Sequence, residues 1–399
     1  MTRGRPLELL RRTAQTLGGL SRTNRGRVTR KLLGSLGRAP SPPVPTTVNW
    51  QLTYACPLRC EHCYSESGRR PVKTLPPEDL FRIAEKLLQI RPLPGFAFSG
   101  GEPTLAPGFL ELAERLRRAR ASVKLYTSGF RPKPELVQAI SRTFTTVAVS
   151  IDGATRETND RIRGRAGAFD EALETLGRLD ALSRSGSAGS PARFGVEYSV
   201  MRSNLGEVER FCTDVAPRFP RLGFLHFGSV VPAGLASRPS FVRRELLNAA
   251  ELASLQALSP ALQAKAPRGV EVRVYSNLAF MMHPEQIRHG RSCDIILEIE
   301  ADGSVRAMSM YEGVVGNLLE EPFDVLWRRT IERQNSSFVA STLERIRSME
   351  DWGEAARAID ERFAEGDDRS RLHARAPLIE DAHPETAPSP RHPLKVLWP

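Results

Sequence analysis

Three of the five cysteines, Cys56, Cys60 and Cys63, fall within eight residues of the stretch TYACPLRCEHCY (53–64), with no fourth cysteine nearby. Thiolates are soft ligands that select zinc, copper(I) or iron–sulfur clusters. A closed zinc site needs a fourth ligand, and His62 is the only local candidate. A [4Fe–4S] cluster held by three cysteines instead leaves one iron without a protein ligand, open to another molecule. An odd and clustered set does not resemble the disulfide framework of a secreted protein and fits a reducing compartment. No stretch is apolar enough to span a bilayer, and the segment after Arg11 and Arg12 is too short and polar for a signal peptide. A cytoplasmic location is expected.

The cysteines follow a strand-like segment at 46–53, and the chain then alternates apolar runs with amphipathic segments. Strands read at 96–100, 122–129, 146–152, 194–200, 224–231 and 269–276, separated by helical periodicity such as Leu80, Ile83, Leu87 and Ile90. Such alternation implies βαβ units and a parallel sheet. Repeated right-handed crossovers curl that sheet into a full or partial barrel, with chemistry at the C-terminal ends of its strands. From residue 291 the pattern changes to two strands about the Asp302-Gly303 turn, then a helix, which reads as a small α+β appendage. The expected organisation is a basic arm and Pro-rich linker over 1–45, a core over 46–290, an extension over 291–365 and a disordered tail over 366–399.

The formal charge of +11 is unevenly placed. Residues 1–45 hold ten basic side chains against Glu8 alone, which leaves the remaining 354 residues close to neutral at +2. The arm is read as a solvated tail, with docking to an acidic partner as the alternative. A nearly neutral body argues against an RNA-modifying enzyme, the reading the arm would otherwise suggest.

Cys56-x3-Cys60-x2-Cys63 after a first strand resembles the radical S-adenosylmethionine (SAM) superfamily, and the likeness continues downstream. FSGGEPTL (98–105) resembles that family's Gly-Gly-Glu-Pro motif, 149–176 its fourth strand and following helix, and VVPAGLASR (230–238) its Pro-x-Gly turn. The resemblance implies a partial (β/α)6 TIM-like barrel, one [4Fe–4S] cluster on Cys56, Cys60 and Cys63, and SAM as cofactor. It also implies reductive cleavage of SAM and hydrogen abstraction from a substrate by a 5′-deoxyadenosyl radical. By the same resemblance Gly100 and Gly101 admit the SAM amine, Glu102 serves nearby polar groups and Pro103 stiffens the turn. His62 falls near the adenine, Ser150 near the ribose or carboxylate, and Arg163 is a candidate partner of the SAM carboxylate. Thr127 and Ser128 depart from the family's Thr-Asn-Gly, and no role is assigned to them.

The segment 293–327 resembles the start of a SPASM or twitch extension, which in that family holds auxiliary clusters. Here Cys293 stands alone, with Met308 and Met310 near where a further cysteine would follow, so a single cluster is expected. Cys293 is a candidate hydrogen-atom donor, with a packed structural cysteine as the alternative; Cys212, within an amphipathic helix, is expected to be packed. The expected substrate is a peptide or a natural-product intermediate. The alternative is a tailoring enzyme (an epimerase, a decarboxylase or a rearrangement catalyst) for a sugar, nucleoside or amino-acid metabolite. A zinc-binding scaffold is the non-catalytic reading. An electron donor such as flavodoxin or ferredoxin is an expected partner. Residues 1–45 are too short for a leader-peptide recognition domain or a cobalamin domain.

Overall fold

Ten strands form one sheet in the computed structural model, which describes residues 44–131, 133–185, 191–283 and 295–375. The basic arm, Cys293 and residues beyond 375 lie outside the described residues. The strands are β1 (Thr47–Thr53), β2 (Gly95–Gly100), β3 (Val123–Thr127), β4 (Thr146–Ser150), β5 (Arg193–Val200), β6 (Phe224–Ser229) and β7 (Glu271–Tyr275), then β8 (Ile296–Ile299), β9 (Ser304–Met308) and β10 (Tyr311–Asn317). Their spatial order is β10-β9-β8-β1-β2-β3-β4-β5-β6-β7. β1 to β7 pair in parallel, as the βα alternation predicts. The sheet stays open, with β7 and β10 as its edges.

The helices α1 (Pro77–Leu87), α2 (Phe109–Arg118), α3 (Pro134–Thr143), α4 (Arg156–Arg163) and α5 (Ala168–Ser185) cross between successive strands. α1 shows why: Pro77 opens it with its φ preset, Glu78 and Asp79 favour its N-terminus, and Leu80, Ile83 and Leu87 are buried. They cover one face of the sheet. Val48, Trp50 and Leu52 of β1, Phe96 and Phe98 of β2, and Val147 and Val149 of β4 belong to that core. Because strand side chains alternate, Asn49, Gln51, Ser99, Lys124, Ser150, Glu197 and His226 fall on the opposite face.

The C-terminal part differs from the expected appendage. β8 and β9 do form a hairpin around Asp302-Gly303, but β8 pairs in parallel with β1, from Thr47 opposite Ile296 to Trp50 opposite Ile299. The extension therefore continues the core sheet and covers the edge β1 would otherwise expose. Side chains hold the seam: Asn49 and Gln51 both donate to the Glu298 carboxylate. After α6 (Pro239–Glu245), α7 (Ala249–Ala257) and α8 (Ser259–Lys265), the chain closes with α9 (Phe323–Gln334), α10 (Ser337–Leu343), α11 (Met349–Phe363) and α12 (Gly366–His373).

Two further expectations are corrected. The single helix read over 205–216 is irregular, with one short α turn at Val208–Arg210 and a π turn at Phe211–Val215 ahead of Pro217. Cys212 is buried there, as expected. The tail expected from residue 366 begins instead as helix α12. That segment has few apolar residues, but it is held by charge. Arg371 pairs with Glu66 and Glu312, and Arg375 lies 2.7 Å from Glu66 and 3.3 Å from Asp360. Apolar content could not anticipate an anchor built from buried ion pairs.

Candidate active site

Cys56, Cys60 and Cys63 lie on the loop that leaves the C-terminal end of β1, and all three are free and half-buried. The loop is docked by backbone. Gly101 N donates to Thr53 O at 2.7 Å and Glu102 N to Ala55 O at 2.8 Å. A Cβ on Gly100 would fall 2.7 Å from the Thr53 oxygen, and one on Gly101 would overlap the Ala55 carbonyl. The space these glycines leave is thus filled by the chain's own cysteine loop, a task the sequence did not reveal. On the far side Arg59 N donates to Arg163 O and Glu61 N to Ile162 O. Gly234, in the turn after β6, has φ +54, and a Cβ there would sit 2.6 Å from Cys63 O. Leu235 N donates to that same oxygen.

Glu102 is fully buried, and its carboxylate ties the ends of β2 and β3 together. Oε1 accepts from the Thr104 and Thr127 hydroxyls, each at 2.8 Å, and Oε2 from Ser128 N and Oγ at 2.8 and 2.6 Å. Thr127 and Ser128, unassigned from sequence, are therefore partners of Glu102. Pro103 is buried and opens the short 3-10 turn Pro103–Leu105.

Beneath the loop lies a second buried group. Arg163 Nε is 2.7 Å from the Asp152 carboxylate, and its guanidinium is 3.9 Å from Cys60 Sγ. His62 Nε2 is 3.6 Å from the same carboxylate, and His62 Nδ1 is buried without a hydrogen-bond partner. The carboxylate that meets Arg163 is thus the chain's own. Asp152 also accepts from Ser199 N at 2.8 Å, which ties β4 to β5. Burial pushes the His62 imidazole down to about 4, more than Asp152 restores. Burial also pushes the Cys56 thiol up to about 12 and the Cys60 thiol up to about 11, with the neighbouring cysteines adding to the rise and Arg163 opposing it at Cys60. Ser150 ends β4 half-buried, in register with Glu197 of β5.

The donor set fits an iron–sulfur cluster. Three soft ligands share one loop, close enough for Cys60 and Cys63 to raise the Cys56 thiol. Among the described residues no three His, Cys, Asp or Glu side chains converge on one ion.

Residues 50–188 match the Radical SAM superfamily. That match covers about a third of the chain and includes the three clustered cysteines and the Gly-Gly-Glu-Pro turn. Mycofactocin maturase MftC of Mycobacterium tuberculosis is 37% identical to this chain over 172 residues, covering 42% of it and 41% of MftC. Fe-coproporphyrin III synthase of Methanosarcina barkeri is 30% identical over 220 residues, covering 53% of this chain and 51% of the synthase. The chain thus spans about two fifths to half the length of these curated relatives. The crystal structure of Streptococcus suis SuiB bound to S-adenosylmethionine shares the fold, with a TM-score of 0.59 at 14% identity over 86% of this chain and 77% of SuiB. No helix among the described residues is long and apolar enough to cross a membrane.

Three strands carry interior polar residues that the sequence pattern did not single out: Lys124, Glu197 and His226. The signal was available, since charged side chains amid apolar strands of a parallel sheet are unusual. Lys124 Nζ and His226 Nδ1 meet Glu197 Oε1 at 2.7 and 2.9 Å.

Proposed function

We propose that this chain is a radical SAM enzyme in which Cys56, Cys60 and Cys63 hold a single [4Fe–4S] cluster, and that it modifies a peptide. The observation that carries the reading is the docked cysteine loop at the C-terminal mouth of a parallel sheet, with three thiols and no fourth cysteine beside them in sequence. When bound, the cluster and SAM supply a 5′-deoxyadenosyl radical that removes a hydrogen atom from the substrate.

The chain's own residues fix where this happens. Gly100, Gly101 and Gly234 seat the loop at a constant height over the strands. Glu102 locks the ends of β2 and β3, so that Ser128 and the loop keep their spacing. Arg163 pairs with buried Asp152 through Nε and directs another guanidinium N–H at the Cys60 sulfur. His62, held neutral by burial, presents a flat uncharged ring beside the cysteines. A peptide substrate is supported by the likeness to a protein named as a maturase. The likeness to a porphyrin synthase supports a small molecule as the second reading.

The test is anaerobic purification, reconstitution with iron and sulfide, and addition of dithionite and SAM. About four irons per chain and formation of 5′-deoxyadenosine are expected, both lost in Cys60→Ser. A colourless protein with one zinc and no SAM cleavage would overturn the reading.

A further inference from the structure

The concave polar face of the sheet contains a second constellation, below the cysteine loop. Glu197 of β5 is level with Ser150 of β4 on one side and with His226 of β6 on the other, and His226 is level with Arg273 of β7. Lys124 starts lower on β3, and the small residues Ala148 and Gly195 of the intervening strands leave its path to Glu197 clear. The three side chains share one oxygen: Glu197 Oε1 takes both the Lys124 ammonium and His226 Nδ1.

What remains free decides what the group can bind. Glu197 Oε2 makes no hydrogen bond among the described residues, and a quarter of the Glu197 side chain is still accessible, at 26%. With Nδ1 committed to a carboxylate, His226 carries its proton there and leaves a lone pair on Nε2. That Nε2 is buried and has no partner. Both free atoms are therefore acceptors, and an anion would meet two lone pairs. A cation is also disfavoured. Lys124, Arg193 and Arg273 surround the site with three positive charges, against the two carboxylates of Glu197 and Glu271. A neutral donor, a hydroxyl or an N–H, matches what is left.

The walls are flat and aromatic. The Phe224 ring lies 4.5 Å from the His226 ring and the Tyr275 ring 5.6 Å, centroid to centroid. The Tyr126 ring faces the Lys124 ammonium at 4.2 Å.

We propose that Lys124, Glu197 and His226 form the substrate-recognition site of the barrel, where His226 Nε2 and Glu197 Oε2 accept hydrogen bonds from a neutral hydroxyl or N–H carried on a planar substrate group. Lys124 acts as a positioning residue on Glu197 Oε1, and through that same oxygen Glu197 holds the His226 tautomer. The inference rests on the reading of this barrel as the active site and adds the chemical class of the group it receives.

Phenol is a suitable probe, with anisole as the same ring without a donor and benzylamine as a cationic counterpart. The anaerobically purified full chain, labelled with nitrogen-15 at histidine, is titrated with each. Phenol is expected to move the His226 Nε2 resonance, which starts at the position of an unprotonated nitrogen, while anisole leaves it in place and benzylamine binds more weakly. His226→Phe should abolish the response. The isosteric Glu197→Gln, which serves even where His226→Phe fails to fold, should weaken phenol binding about tenfold. Equal responses to phenol and anisole, tighter binding of benzylamine, a protonated Nε2 at the outset, or no movement of that resonance would each overturn the proposal. The readout is an imidazole signal and not turnover, so failure here leaves the 5′-deoxyadenosine result standing, and the reverse also holds.

Discussion

The two flanks of the concave face use similar residues to opposite ends. On the β1–β8 flank, Glu298 has both oxygens taken by Asn49 and Gln51, and Asn49 in turn accepts from Ser99. Glu300 meets the Tyr54 hydroxyl and lies 2.6 Å from Arg306, which also reaches Glu312 at 3.1 Å. All of these ionic side chains are buried. On the β3–β5–β6 flank, Glu197 keeps one oxygen open and His226 one nitrogen. Partnered carboxylates fasten the extension to the core, where Gln51 Oε1 and Arg306 Nε are the buried atoms left over, whereas on the other flank the unpartnered atoms are acceptors of the Glu197–His226 pair itself.

Electrostatics separates the flanks in the same way. Burial pushes Glu298 and Glu300 up to about 7, because Arg306 only partly compensates. Burial also opposes the charge of Glu197, but His226 and Lys124 outweigh it and hold that carboxylate below its ordinary range. Glu298 and Glu300 tolerate a proton, whereas Glu197 keeps its charge.

The sharpest way to break this comparison is Arg306→Met. It strips the nearest cation from Glu300 and leaves buried carboxylates uncompensated, so a loss of about 3–5 kcal/mol in urea unfolding is expected. A loss below about 1 kcal/mol would show that the β1–β8 flank is not a structural fastening.

Next in size is the pH response of Glu298→Gln. The folded-state value of about 7 lies above the ordinary 4.5, so between them the folded chain binds more protons than the unfolded one. Stability from this group is therefore fully present below pH 4.5 and declines as pH rises through 7. The variant should gain on the parent by up to about 3 kcal/mol between pH 4.5 and 7.5. Parallel stability curves for the two proteins would contradict the burial argument.

The smallest effect belongs to the other flank. Glu197→Gln should cost less than about 1.5 kcal/mol of folding stability, because Lys124 and Glu197 are each about a quarter exposed and water can replace part of the pair. A cost matching that of Arg306→Met would make Lys124, Glu197 and His226 a second fastening and erase the contrast.

Much of the site was legible because its chemistry is local. Cys56, Cys60 and Cys63 lie within eight residues, and Gly100 to Pro103 are consecutive, so spacing alone isolates them. The βα alternation likewise yielded the parallel order of β1 to β7. The role of the glycines was not legible, because Ala55 and Gly101 meet only when β1 and β2 pair. Nor was the pairing of Arg163 with Asp152, which depends on α4 folding back beneath the loop. The hairpin at Asp302-Gly303 could be read from its turn residues, but not its partner, since the match between β8 and β1 joins residues some 250 positions apart.

By itself the sequence determined the spacing of Cys56, Cys60 and Cys63, the absence of a fourth cysteine beside them and the alternation that builds a parallel sheet. Each of these is a property of neighbours along the chain. Tertiary structure decided which polar groups are partnered and which remain free. Glu298 and Glu197 are the same residue type in comparable strands, and no local pattern separates them. Their difference comes from what stands across the sheet: Asn49 and Gln51 close around one, and only one oxygen of the other is reached. Burial, partner distance and accessible space set that outcome, and all three exist only once the strands are side by side.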